Sequence, residues 1–264
     1  LFASISVFLS QNACALNSQN VPLISIDGLR PEFYLSDDFS TPTLKGLMKT
    51  GAYAKAATPI FPSVTYPNHT TIATGVSSAR HKVVSNTVFT MKDGYTGLWY
   101  WEEKHVKSQP IWQLAKKAGK KVAILRWPAS VGARVDWMLP EIFAAVGVHK
   151  ENDWDFVVKN IDPKLLSEIT EGAPLKKIGG IDQVDSWNAH AAEYVLRKYK
   201  PEFAMLHLIN LDFVQHGFGR DGVEVKKAVE TIDAQLAKIL TAVDLKKTAI
   251  IIVGDHGFIN FTHL

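Results

Sequence analysis

Four nearly unbroken apolar runs constrain this chain more than any other feature. VPLISIDG carries a strand over Val21–Ile26, and KKVAILRWP carries one over Val122–Leu125. FAMLHLINLD reads as a strand ending on Asp212, and TAIIIVGDHG as a strand ending on Asp255-His256. None of these runs alternates apolar with polar residues, so each needs cover on both faces, as strands of a parallel sheet do. Helical patterns lie between them. In TPTLKGLMKTG, Thr41 reads as the N-cap, Pro42 as the first helical residue and Gly51 as the stop. PNHTTIATG reads as a further helix start, and the helix in SQPIWQLAKKAG stops at Gly119. VDSWNAHAAEYVLRKYK is a helix broken by Pro201, and GVEVKKAVETIDAQLAKILTAVDL is a long amphipathic one. Asp93-Gly94, between two β-rich runs, marks a hairpin. The alternation of strand and helix predicts an α/β fold, a mainly parallel sheet flanked by helices. Residues 131–185 are less regular and rich in aromatics, and are expected to form a cap inserted beside the site.

Composition narrows the function. With 264 residues, 47% of them hydrophobic, the chain can bury one large core, with or without a cap. A net charge of only +3, dispersed along the chain, argues against a nucleic-acid polymer as partner. LFASISVFLS precedes Ala13-Cys14-Ala15, the small-x-small pattern of a signal-peptide cleavage site. That run is too short to span a membrane. Residues 1–20 are therefore expected to be a clipped signal peptide and leader, and residues 21–264 the catalytic part. Cys14 is the sole cysteine, so cysteine-based zinc sites are excluded. An exported protein without disulfides points to a bacterial periplasm or to secretion.

Asp27, Asp212 and Asp255 all fall at the carboxyl ends of expected strands, where open α/β sheets bind their ligands. Three carboxylates converging there repel one another unless a cation neutralises them. Asp212 and His216 stand four apart and would share a helix face, and His256 follows Asp255 directly. Carboxylate with imidazole is a donor mixture suited to zinc. Thr65 taken alone reads as a residue capping a helix start.

The motifs ISIDGLRPEF, PSVTYPNHTTIATG, HKVVSN, PIWQLAKKAGKKVAILRWPAS, LHLINLDFVQHGFG and VGDHG follow one another over most of residues 21–258. In content and order they resemble the nucleotide pyrophosphatase/phosphodiesterase (type I phosphodiesterase) family of the alkaline phosphatase superfamily. The resemblance implies an alkaline phosphatase-like fold and two zinc ions. One ion would be held by Asp27, Thr65, Asp255 and His256. The other would be held by Asp212, His216 and a histidine that the family supplies further downstream. Thr65 would be the nucleophile, forming a phospho-threonine intermediate, and Asn86 would donate to a phosphoryl oxygen. Trp127 is a candidate substrate contact, whereas Asn68 and His69 read as structural. The implied substrate is a nucleotide-like or other small organic phosphate, cleaved at a phosphodiester or pyrophosphate bond. A phosphonoacetate hydrolase or phosphomonoesterase of the same superfamily would use the same chemistry. A binding domain or inactive fragment is the alternative of another class.

Two features depart from the family pattern. His81-Lys82 stands where the family commonly has His-Gly, and a lysine makes the backbone there less permissive. The chain stops at Leu264, soon after His256, and His263 is a poor substitute for the downstream histidine. The expectation is a C-terminally truncated catalytic domain that holds zinc better on its Thr65 side than on its Asp212 side. Metal analysis of the 264-residue chain should find one tightly held zinc; two would contradict this expectation.

Overall fold

In the computed structural model, residues 18–92, 94–141, 153–171 and 181–260 are described. The first half of the chain contributes β1 (Val21–Ile26), α1 (Glu32–Leu35), α2 (Pro42–Thr50), α3 (Thr65–Thr74), α4 (Ser78–His81), β2 (Thr87–Thr90), β3 (Gly94–Trp99) and α5 (Ile111–Lys117). There follow β4 (Val122–Leu125), β5 (Trp137–Leu139), α6 (Asp153–Asn160), α7 (Pro163–Glu171) and α8 (Ile181–Tyr199). The last elements are β6 (Phe203–Leu208), α9 (Asn210–Phe218), α10 (Val223–Leu240) and β7 (Ile251–Gly254). Five strands form one sheet in the order β5-β4-β6-β1-β7. Every pairing in it is parallel. β2 and β3 form a separate antiparallel hairpin, as Asp93-Gly94 predicts, with Asp93 itself outside the described residues.

The absence of polar alternation has the expected consequence in β1, β4 and β6, whereas β7 lies at the sheet edge with Ile251 45% exposed. On one face Ile24, Ile26, Ala123, Leu125, Ala204, Leu206 and Leu208 pack with residues of α8 and α10. The other parity, Leu23, Val122, Ile124 and Met205, packs with Ala73 of α3, Trp112 of α5 and Trp127. Burial of this apolar surface, at roughly 25 cal/mol per Å2, is what holds helices to both sides of the sheet. Among the described residues no helix is long and apolar enough to cross a membrane.

The structure corrects two boundaries. The strand expected to end on Asp212 ends at Leu208, and Asp212 lies in the first turn of α9. The cause is Asp185 on α8, whose buried carboxylate accepts the N–H groups of Ile209 at 2.8 Å and Asn210 at 2.7 Å. That remote cap starts a helix as soon as the strand leaves the sheet. The expected cap over 131–185 also divides. Residues 137–139 are the edge strand β5, and Val157, Ile161, Leu165 and Ile169 join the main core. Residues 142–152 and 172–180 lie outside the described residues, as do residues 1–17 of the expected leader and His263.

The N-terminus of α2 is capped in the same way. Thr41 occupies the N-cap position, as its sequence predicts, but its hydroxyl donates to the Phe33 carbonyl instead. The free amides of Thr43 and Leu44 are taken at 2.9 Å each by the buried carboxylate of Asp233 on α10. Losing this cap leaves two amides without their acceptor. Asp233→Ala should destabilise the fold by about 1–2 kcal/mol, read as a lower urea midpoint. An unchanged midpoint would show that the cap contributes nothing.

Candidate active site

The register of the sheet builds the site. Ile26 at the end of β1 pairs with Gly254 at the end of β7, so the next residues, Asp27 and Asp255, emerge side by side. The chain turns sharply after Asp27 through Gly28, whose φ is +67°. A Cβ there would meet Gln215 Nε2 at 2.8 Å and the Phe258 ring at 3.0 Å, so any larger residue would be strained and would displace Gln215. The Gly28 N–H donates to Asp255 Oδ1 at 3.0 Å, and Gln215 of α9 donates to the Gly28 carbonyl at 3.0 Å.

His256 stands at the middle of the group. Its Nε2 lies 3.2 Å from Asp27 Oδ1, 3.5 Å from Asp255 Oδ2 and 3.4 Å from Thr65 Oγ1. Asp212 Oδ1 is 3.9 Å from the same nitrogen. Thr65 is the first residue of α3, and the N-cap position falls on Val64, whose apolar side chain cannot cap the helix. The N-terminus of α3 is held in place from both sides. Asn68 accepts from the Ile60 amide at 2.9 Å and donates to the Val64 carbonyl at 2.9 Å, which pins the loop ahead of the helix. His69 Nδ1 donates to the Thr65 carbonyl at 2.8 Å from a fully buried position. Both residues are structural, as read from the sequence, and Asn68 is too buried to carry a glycan. The Tyr66 amide donates to Asn86 Oδ1 at 2.9 Å, so the Asn86 NH2 group is the end left to donate elsewhere.

Electrostatics follow from the crowding. Burial opposes ionisation of Asp27, but the imidazoles of His207 and His256, each 3.2 Å away, outweigh it and hold this carboxyl well below its usual range. Burial, reinforced by the charge of Asp27, pushes Asp255 up to about 7 and Asp212 up to about 8. For His256, burial favours the neutral ring, yet the hydrogen bond to Asp27 and the charge of Asp255 raise it to about 10. His69 is pushed well below its ordinary value, first by burial and then by the neighbouring His207.

These residues fit a divalent cation. Asp27 Oδ1, Asp212 Oδ1 and Asp255 Oδ2 are buried without a hydrogen-bond partner. Ligand atoms of Asp27, Asp255 and His256 all lie within 4.8 Å of one another. Donors around a tetrahedral zinc stand about 3.3 Å apart, close to the spacing around His256 Nε2. Carboxylate, imidazole and hydroxyl form a set that such an ion accepts. His216 sits further out. Its side chain is 68% exposed, and Nε2 is 3.5 Å from Asp212 Oδ1.

Trp127 is a correction. It is 0% exposed, so it lines no open space for a substrate. Its ring packs edge-on against His69 at 4.9 Å, where it serves the wall behind α3. Tyr100 and Trp101 pack into a small cluster with Tyr66 and Val83. Arg30 is buried and tied to Glu32 at 3.0 Å and Asp221 at 3.1 Å. Lys82 adopts φ 69°, the left-handed conformation in which a glycine would be unstrained. Sequence reasoning missed His207 and Glu141. The signal was available, because a histidine inside the apolar run FAMLHLINL needs a buried partner.

The model of the type I phosphodiesterase / nucleotide pyrophosphatase family matches residues 21–263. The chain is 24% identical over 265 residues to human ectonucleotide pyrophosphatase/phosphodiesterase family member 1, covering 94% of this chain and 25% of the relative. It thus spans about a quarter of that protein's length. Among solved structures, human ectonucleotide pyrophosphatase/phosphodiesterase 5 aligns with a TM-score of 0.63 at 22% identity, over 90% of this chain and 57% of that one. Phosphonoacetate hydrolase from Sinorhizobium meliloti 1021, in complex with phosphonoformate, aligns with a TM-score of 0.63 at 23% identity, over 90% and 56%. Both likenesses concern the fold, which is alkaline phosphatase-like.

The raised carboxyls give the site a pH signature. Asp255 and Asp212 bind protons in the folded protein that the unfolded chain releases near pH 4. Their contribution to stability is therefore complete below about pH 4, is lost progressively as pH rises, and is gone above about 7 and 8. Above that, His256 carries the fall. His256, raised to about 10, acts with the same sign above its unfolded value, while depressed His69 opposes it only below that value. In chelator, the urea midpoint should fall from pH 7 to pH 9, and excess zinc should remove most of the fall. A midpoint rising with pH in chelator would contradict this electrostatic account.

Proposed function

Because the chain belongs to the type I phosphodiesterase / nucleotide pyrophosphatase family, we propose that it hydrolyses phosphodiester or pyrophosphate bonds of nucleotide-like or other small organic phosphates, with Thr65 as nucleophile. The observation that carries this reading is the Thr65 hydroxyl, placed on the first residue of a helix and 3.4 Å from His256 Nε2. Asp27, Thr65, Asp255 and His256 would hold one zinc, and Asp212, His216 and a further histidine a second. When bound, these ions supply the positive charge that acidifies the threonine hydroxyl and offsets charge on the phosphoryl group.

The chain's own residues do the rest. The N-terminus of α3 turns its positive dipole end toward the phosphate. Asn86, its oxygen engaged by the Tyr66 amide, presents its NH2 group to a non-bridging oxygen. Thr65 Oγ1 bonds to phosphorus as the leaving oxygen departs with the bonding pair, and water then cleaves the phospho-threonine and restores the hydroxyl. Buried Arg30 is committed to Glu32 and Asp221 and so does not offer its charge to a third phosphoryl oxygen. That favours a diester over a monoester. Export of the protein belongs to the same proposal, supported by the apolar run ahead of Ala13-Cys14-Ala15.

The test uses the full-length protein and Thr65→Ala with zinc. Bis-p-nitrophenyl phosphate should be cleaved faster than p-nitrophenyl phosphate, and the variant should lose activity by a factor on the order of 1000 or more. A preference for the monoester would sink the diesterase reading. Undiminished turnover in the variant would remove Thr65 from the chemistry.

A further inference from the structure

We infer that Glu141 and His207 form a buried positioning pair that aims the Asp27 carboxylate, and thereby sets how tightly the site holds its cation. This inference rests on the metal site proposed above. His207 lies on β6 beside β1, opposite Ser25, on the sheet face that carries α3. It has no exposed surface. Its Nε2 is 3.2 Å from Asp27 Oδ2, and its Nδ1 is 2.6 Å from Glu141 Oε2. Glu141 is likewise fully buried, two residues beyond the end of β5.

The division of labour within Asp27 is the point. Oδ2 lies 3.2 Å from His207 Nε2 and Oδ1 lies 3.2 Å from His256 Nε2, both as ion-pair contacts. His207 Nε2 and Asp27 Oδ1 are buried without a hydrogen-bond partner, so the carboxylate is held from the His207 side by charge and contact while Oδ1 stays open toward the site. A carboxylate anchored through one oxygen presents the other in a fixed direction. An imidazole can anchor it firmly only if its own ring is fixed, and Glu141 fixes that ring from the opposite nitrogen. The ring of His69 lies 4.2 Å from the His207 ring and closes the remaining side. Nothing in the packing of the strand itself calls for two ionisable groups here. An apolar side chain on β6 would fill the space without needing a partner. Removing a hydrogen-bond partner behind a metal ligand typically costs 10–100-fold in metal affinity.

Isothermal titration of zinc alone into the full-length protein tests this, with thermal midpoints in chelator as a check on folding. His207→Leu should weaken binding by about 10–100-fold. His207→Gln, whose amide can still donate to Asp27 Oδ2, should recover most of that loss. Glu141→Gln keeps the volume but not the charge, and should weaken binding in the same direction by a smaller factor. If His207→Leu does not fold, Glu141→Gln decides. Wild-type affinity in either folded His207→Leu or Glu141→Gln overturns the inference and leaves the metal site standing. Equal losses in the leucine and glutamine variants would mark His207 as packing alone and overturn it too. Failure of the wild type to bind zinc would overturn the metal site and the inference together.

Discussion

Repulsion between carboxylates that the backbone forces together is the constraint on which the rest of this structure turns. The pairing of Ile26 with Gly254 leaves Asp27 and Asp255 no choice but to emerge as neighbours. Asp212 is delivered to the same spot by α9. Two like charges 4 Å apart cost about 4 kcal/mol at an effective dielectric of 20. The surroundings answer that cost with imidazoles at His256 and His207, with the Gly28 amide, and with the N-terminus of α3. The opposite displacements of Asp27 and of Asp212 and Asp255 are the same repulsion seen from its two sides. The carboxyl nearest the two imidazoles is pulled toward ionisation, and the others are pushed toward the protonated form.

The order of the polar groups repeats the order of the strands. Glu141 follows β5, His207 lies on β6, Asp27 follows β1, and Asp255-His256 follows β7. Such a line exists only because all five strands run the same way, so that every carboxyl end opens on one edge. An antiparallel strand in the middle would send its last residue to the far edge and break the line.

Much of this could be read from residues alone, for reasons that are physical. Strands buried on both faces leave an unmistakable signature, so Val21–Ile26 and Val122–Leu125 stand where the apolar runs place them. Helix signals that act within a few residues, such as Thr41, Pro42 and Gly51, mark α2 correctly. What escaped depends on partners distant in sequence. The end of β6 is set by Asp185 on another helix, which no local pattern around Leu208 reveals. The segment expected to be a cap contains β5, whose three residues become a strand by pairing with β4. Trp127 looks the same in sequence whether it faces a substrate or the back of a histidine. Asp27, Asp255 and His256 were legible because each sits directly after a strand, where direction is dictated by the chain itself.

The pairing of β1 with β7 carries an evolutionary consequence. It is made of backbone amides and carbonyls, which are the same in every residue other than proline. Side chains on the outer helices can therefore be exchanged freely, provided they stay apolar toward the sheet, without altering where the two strands deliver their acidic residues. The same fold occurs in solved structures only 22–23% identical to this chain, as such an arrangement permits. The chemistry is anchored to the part of the polymer that mutation cannot easily reach.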